Sequence, residues 1–243
     1  MECSQFILEF PISPDYSFDS FIAKEKNRLI VQEIRNLKAR PQHSLTITGE
    51  AGVGKTHLLK AAVNHFQDSQ QGQERGAVYL DMAALVMQLQ KQGEESLGQL
   101  LARYGTYSLV AVDDLEQLKE QPLLQEAVLF LFNQVRSSGG KLLFASRISP
   151  KAMKWLREDL SSRLLWGELL ALTPPSDEEL GEILAKMALD RQVRLSPELI
   201  KFLQLRLPRR VPDYAEAMAR LDRAAMGLQH RITVPLAKKV LNM

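Results

Sequence analysis

The chain has 243 residues, 45% hydrophobic and 25% charged, the composition of a folded globular protein with room for one large domain and a small one. Its 31 basic and 29 acidic residues leave a formal charge of only +2, which argues against a protein whose main task is non-specific DNA binding. A single cysteine, Cys3, excludes an internal disulfide framework and a multi-cysteine metal site. Together with the absence of a secretory layout or a ~20-residue apolar run, it predicts a soluble, cytoplasmic protein.

Residues 1–15 stand apart. Gln5-Phe6-Ile7-Leu8-Glu9-Phe10 is a short apolar segment closed by Pro11 and Pro14. Its Q-x-x-L-x-F spacing resembles the peptide by which bacterial replication proteins hold the polymerase sliding clamp. In that reading Gln5 supplies amide hydrogen bonds while Leu8 and Phe10 fill an apolar pocket. The alternation of Phe6, Leu8 and Phe10 equally fits an N-terminal edge strand. From Tyr16 to Ile22 the chain is aromatic-rich, and a helical pattern then runs past Asn27 to Leu37.

Ser44–Thr48 reads as a short strand and His57–Val63 as the start of an amphipathic helix. Between them, Gly49-Glu50-Ala51-Gly52-Val53-Gly54-Lys55-Thr56 fits G-x-x-x-x-G-K-[ST] at every fixed position. The glycines let successive N–H groups curl around a phosphate, and the helix N-terminus adds its positive dipole end. Lys55 is expected on the β- and γ-phosphates of ATP or ADP and the Thr56 hydroxyl on Mg²⁺.

Residues 67–76 are polar and read as a surface loop, and Val78–Leu80 as a strand. Met82 to Leu101 has helical spacing interrupted near Gly93, with its methionines read as core. Tyr107–Val112 is a continuous apolar run ending in Asp113-Asp114, as expected of a buried parallel strand presenting carboxylates at its C-terminal end. Asp113 is expected to hold Mg²⁺ through water, and Asp114 to orient or deprotonate an attacking water. A helix from Gln121 to Ser138 and a buried strand at Lys141–Ala145 follow, then Ser146-Arg147.

Pro174-Pro175 marks a boundary beyond which the pattern is helical. Ser176–Glu179 reads as a capping box, Ser196-Pro197 as a second helix start, Pro212 as a third, and Thr233 as a fourth running to Leu241.

From Tyr16 to the C-terminus these features resemble the DnaA family of AAA+ proteins. The resemblance rests on the aromatic segment before the phosphate loop, the G-K-T-H-L-L run through His57, and Ser162-Arg163-Leu164-Leu165-Trp166-Gly167, which matches S-R-[FLM]-x-W-G. It implies an α/β parallel-sheet AAA+ domain (16–174) and a small all-helical lid (175–243). It also implies that Phe21 and Ile22 line the base pocket, with Asn27 nearby, and that Arg163 reaches the nucleotide site of a neighbouring subunit. The alternative for Arg163 is a surface pair with Asp159 or Glu158. The helices after Met82 touch single-stranded DNA in DnaA, but this segment is not conspicuously basic and the role is not carried over. The residue sensing the γ-phosphate is open between Ser146 and Arg147, the latter standing where DnaA is acidic. The lid arginine of the family aligns with Pro212, which leaves Arg209 or Arg210 as substitutes and puts intrinsic ATP hydrolysis in doubt.

The sequence ends at the lid, where DnaA continues into a DNA-reading domain. Together with the clamp-type peptide and Asp159-Leu160, this resembles the Hda group of DnaA paralogues. The resemblance implies a replication-initiation inhibitor with DnaA and the sliding clamp as partners, possible homo-oligomers, no sequence-specific DNA binding and no membrane association. The competing expectation is a DnaA-like ATPase that loads a helicase or adapts another replication partner.

Overall fold

The computed structural model describes residues 16–40, 44–68, 76–92, 103–191, 193–228 and 232–243. Strands and helices alternate through the first part of the chain. α1 (Glu25–Arg35) leads to β1 (Ser44–Thr48) and α2 (Lys55–Asp68); β2 (Ala77–Asp81) leads to α3 (Met82–Gln92). β3 (Leu109–Asp113), α4 (Pro122–Ser137), β4 (Lys141–Ser146), α5 (Glu158–Leu164) and β5 (Glu168–Ala171) follow. The five strands form one sheet in the order β2-β3-β4-β1-β5, with every pair parallel.

The sheet is covered on both faces, which is why β3 and β4 carry unbroken apolar runs at Leu109–Val112 and Leu142–Ala145. Val110, Val112, Leu142 and Phe144 pack against Val128, Leu131 and Phe132 of α4. Their neighbours of opposite parity, Leu109, Ala111, Leu143 and Ala145, join Leu45 and Ile47 against Leu58, Leu59, Ala62 and Phe66 of α2. That alternation fixes the register, since a slip of one residue would exchange the faces. Because all strands are parallel, their C-terminal ends share one edge. Thr48 is paired with Ser146 and Asp81 with Asp113, so the phosphate loop, the acids and the Ser146-Arg147 step converge there.

The helical part consists of α6 (Asp177–Leu189), α7 (Pro197–Arg206), α8 (Val211–Leu228) and α9 (Val234–Leu241) around Leu184, Leu203, Tyr214, Met218 and Leu221. Their starts follow local chemistry. Ser176 and Glu179 form a reciprocal capping box, and Ser196 and Thr233 cap α7 and α9 through their hydroxyls. α8 begins at Val211, one residue before the expected Pro212.

Three points differ from the sequence reading. β5 was not anticipated: it is a four-residue edge strand without β-branched residues, specified by pairing to β1 rather than by its own pattern. α2 runs to Asp68, two residues into the expected loop. Met82 is buried as expected, whereas Met87 is 64% exposed. The clamp-type peptide of Gln5, Leu8 and Phe10 lies outside the described residues, as does the interruption at Gly93.

The two parts are joined by specific bonds. Asn27, buried in α1, accepts from the Thr173 backbone N–H and hydroxyl at 3.0 Å each and donates to Thr173 O at 2.9 Å. The Lys24 N–H donates to Glu179 Oε1 at 2.9 Å while Glu179 Oε2 caps Ser176 at 2.8 Å. Burial pushes the Glu179 carboxyl up, but the Ser176 and Lys24 donors outweigh it and hold it below the usual carboxylate range. Among the described residues no helix is long and apolar enough to cross a membrane.

Candidate nucleotide-binding site

The phosphate loop needs its glycines for both backbone conformation and space. Gly52 and Gly54 have φ of +82° and +102°, a region that side-chain-bearing residues avoid. A Cβ on Gly54 would lie 2.6 Å from Phe21 Cε2, and one on Gly52 would lie 2.7 Å from Pro212 Cδ. Val53 turns into the core while Glu50 and Ala51 are exposed. Lys55 opens α2, and its ammonium donates back to Gly49 O at 2.6 Å and Glu50 O at 2.8 Å. Burial lowers the Lys55 pKa, the nearby charges of Asp113, Glu116 and Asp114 oppose that shift, and Arg147 reinforces it.

Asp113 is the hub of the acidic side. Its Oδ2 accepts from Thr56 Oγ1 at 2.6 Å and from the Tyr79 hydroxyl at 2.9 Å, and its Oδ1 from the Asp114 N–H at 2.9 Å. Burial and the Asp113 charge raise the Tyr79 pKa, so this phenol stays a proton donor. Asp114 has left-handed backbone angles, φ 58° and ψ 58°, and accepts from Gln117 Nε2 at 2.9 Å. It makes no side-chain capping bond to the 3₁₀ turn Leu115–Leu118 that it precedes, contrary to a simple capping role. Among the described residues no cluster of three or more metal-ligating side chains occurs. One hydroxyl and one carboxylate side by side instead suit Mg²⁺, which takes its remaining oxygens from phosphates and water.

Beside the loop lies a cavity of about 510 Å³ between the segment before α1, the start of α2 and the lid. Phe21 and Ile22 line it, with Tyr16 and His57 from one side and Ile183 and Met187 of α6 from the other. A largely apolar space of this size suits a nucleoside. His57 builds the wall: its Nε2 lies 3.0 Å from Ser17 O and 3.1 Å from Ser20 Oγ, and its ring is edge-on to Tyr16 and Phe21. Burial lowers the His57 pKa, so the ring is neutral, with its proton on the nitrogen facing the Ser17 carbonyl. Asn27 borders the cavity, but its amide is engaged by Thr173.

The sensor candidates separate by exposure. Ser146 is fully buried and donates its hydroxyl to Ile148 O at 2.7 Å, whereas Arg147 is exposed next to it. On the lid, Arg210 forms a two-pronged pair with Asp213 at 2.6 and 3.2 Å, and Arg209 pairs with Asp177 at 3.1 Å. Pro212 itself packs over Gly52. Sequence reasoning had not singled out Tyr79 or Glu116. Both act through contacts to residues distant in sequence, and nothing local marks them.

Arg163 lies elsewhere. Its guanidinium stacks on Trp166 at 3.8 Å, and Arg136 approaches the same ring at 4.6 Å. Trp166-Gly167 precedes Glu168, which is paired with Leu45 at the start of β1, so this stack belongs to the sheet edge opposite the phosphate loop. With a rise of ~3.3 Å per residue, the length of β1 separates them by roughly 13 Å or more. Asp159 is taken by Arg157, at 2.8 Å, and among the described residues no carboxylate pairs with Arg163. The surface-pair alternative therefore lacks its partner.

Comparison with known proteins agrees with this architecture. The bacterial DnaA ATPase domain profile matches residues 12–171, and the Hda lid domain profile matches residues 177–241. An uncharacterized protein of Haemophilus influenzae is 32% identical over 231 residues, covering 94% of each chain. Domain III of the Thermotoga maritima replication initiation protein DnaA superimposes with a TM-score of 0.82 at 22% identity, covering 95% of this chain and 97% of that one. AMPPCP-bound DnaA from Aquifex aeolicus gives a TM-score of 0.69 at 22% identity, with 90% and 69% covered. The chain belongs to the bacterial DnaA ATPase family of AAA+ proteins and pairs that domain with an Hda-type lid.

Proposed function

We propose that this protein binds adenine nucleotide with Mg²⁺ and delivers Arg163 to the nucleotide site of ATP-bound DnaA. It thereby promotes hydrolysis there and prevents a second round of initiation. Gln5, Leu8 and Phe10 tether it to the DNA-loaded sliding clamp. Within its own site, Gly49 to Lys55 cradle the phosphates, Thr56 and Asp113 hold Mg²⁺, Asp114 orients water, and Phe21 and Ile22 cover the base.

The observation carrying this reading is the position of Arg163. It is an arginine that no carboxylate among the described residues pairs with, stacked on a half-exposed tryptophan at the sheet edge away from its own phosphate loop. Stacking holds the planar guanidinium in one orientation, which lowers the entropy lost when it docks on a phosphate. An arginine supplied in trans neutralises charge in the transition state, an effect of order 10³–10⁵ in rate. The AMPPCP bound to the Aquifex aeolicus relative supports an adenine nucleotide as ligand. Intrinsic turnover is proposed to be weak, because the lid presents Pro212 to the loop and both adjacent arginines are held in lid ion pairs.

The test separates three properties. Arg163→Ala is expected to abolish stimulation of DnaA while leaving nucleotide and clamp binding intact; loss of all three would make Arg163 structural. Replacing Gln5 and Phe10 with Ala is expected to remove clamp binding alone, and unchanged affinity would reduce that segment to a strand.

A further inference from the structure

We infer that Arg136 and Arg163, both held on the ring of Trp166, form one anion site for the polyphosphate of a nucleotide carried by a partner. Arg136 is the second cation of that site, and Trp166 is a positioning residue that sets the pair. The inference deepens the proposed action of Arg163 and rests on it.

Three elements meet at this ring. Arg136 stands in the last turn of α4, Arg163 in the last turn of α5, and Trp166 in the turn leading into β5. A cation is favoured at each of those helix ends by the dipole. The Trp166 backbone N–H donates to Arg163 O at 3.1 Å, which fixes the indole against the end of α5. Phe132, one turn before Arg136 and itself buried, meets the ring edge-on with centroids 6.4 Å apart. The indole is therefore anchored to the core, yet 51% of Trp166 stays exposed. The guanidinium carbons lie 3.8 Å (Arg163) and 4.6 Å (Arg136) from its centroid.

This arrangement leaves positive charge unanswered. Among the described residues no carboxylate pairs with either guanidinium: Asp159 is taken by Arg157 and Glu168 by Arg40. The Arg163 Nε is buried with no hydrogen-bond partner in the protein, so its terminal nitrogens are the edge offered outward. Two like charges on one ring repel, and an exposed cation gains only about 0.5–1 kcal/mol from an aromatic face. An anion with oxygens for both forks answers the charge and the hydrogen bonding together. The chain's own nucleotide does not fill the site, which belongs to the sheet edge opposite the phosphate loop. A compact polyphosphate suits it better than an extended polyanion, because the same two helices carry the acids Glu126, Glu158 and Asp159.

Two readouts on the full-length protein test this. The sequence has two tryptophans, so in a Trp155→Phe background the fluorescence reports Trp166 alone. Tripolyphosphate added to that protein, already saturated with ADP and excess Mg²⁺, is expected to give a saturable change that Arg136→Gln and Arg163→Ala each abolish. In the second, variants are titrated into ATP-bound DnaA with DNA-loaded clamp. Arg136→Gln is expected to raise the half-maximal concentration about tenfold, the scale of a charge-assisted contact, with most of the maximal rate retained. Arg136→Lys should recover much of that loss, and Trp166→Leu should lower the maximal rate although both arginines remain. Unchanged unfolding midpoints exclude misfolding as the cause. An unaltered half-maximal concentration in Arg136→Gln overturns the inference. So does the absence of a tripolyphosphate response, or an equal response to duplex DNA at the same phosphate concentration. A wild-type protein that keeps the Arg136-dependent tripolyphosphate response but does not stimulate DnaA overturns the proposed action on DnaA and supports the anion site.

Discussion

Replacing Asn27 with Ala distinguishes a residue that joins two parts of the protein from one that touches the ligand. The buried Asn27 amide makes three hydrogen bonds to Thr173, at 3.0, 3.0 and 2.9 Å, tying α1 to the segment that enters the lid. At about 1 kcal/mol per bond their loss has a ceiling near 3 kcal/mol. Thr173 is exposed, so water recovers part of its bonding and the expected loss is about 2 kcal/mol. For a chain of this size that lowers the melting temperature by roughly 4–8 °C. Thr173→Val, which removes only the hydroxyl bond, should lose about half as much, and the double variant should lose less than the sum because the sites share a bond. Thermal unfolding followed by circular dichroism, with nucleotide titration in parallel, reads both quantities. Unchanged stability with a large drop in nucleotide affinity would refute the reasoning and make Asn27 a ligand contact.

Other consequences follow from the same geometry. Gly54→Ala combines a strained φ of +102° with a Cβ 2.6 Å from Phe21, so it should cost about 1 kcal/mol or more and displace the cavity wall; nucleotide affinity equal to wild type would contradict this. Thr56→Ala removes the hydroxyl beside Asp113 and should make nucleotide affinity nearly independent of Mg²⁺, measured with and without chelator. For His57, whose folded pKa lies below its ordinary 6.5, the unfolded chain takes up the proton first. The stability from the neutral ring is therefore complete above about pH 6.5 and declines as pH falls through the folded value. His57→Gln should flatten the fall in melting temperature as pH drops below about 6.5, and an identical slope would show the ring is not the titrating group.

Much of the site could be read in the sequence because its chemistry imposes local rules. Phosphate binding demands glycines at fixed spacing before a lysine, and a buried parallel strand must be apolar until it meets the ligand edge, as Leu109 to Asp113 does. The lid helices were equally legible, since capping is a matter of three or four adjacent residues. What escaped depends on partners distant in sequence. Asn27 meets Thr173 and Lys24 meets Glu179 only after the sheet has formed, and Pro212 meets Gly52 only when the lid closes over the loop. Tyr79 looks like any strand aromatic until β2 pairs with β3 and brings its hydroxyl to Asp113. Glu116 looks like a surface acid until β4 arrives beside it.

The proposal that this protein acts on a partner's nucleotide is tested most directly by ATP turnover of DnaA with DNA-loaded clamp, measured with no addition, with this protein, and with its Arg163→Ala variant. The expected result is a clamp-dependent rise with the wild-type chain and none with the variant. An equal rise with both, or no rise while clamp binding is demonstrated, would contradict it.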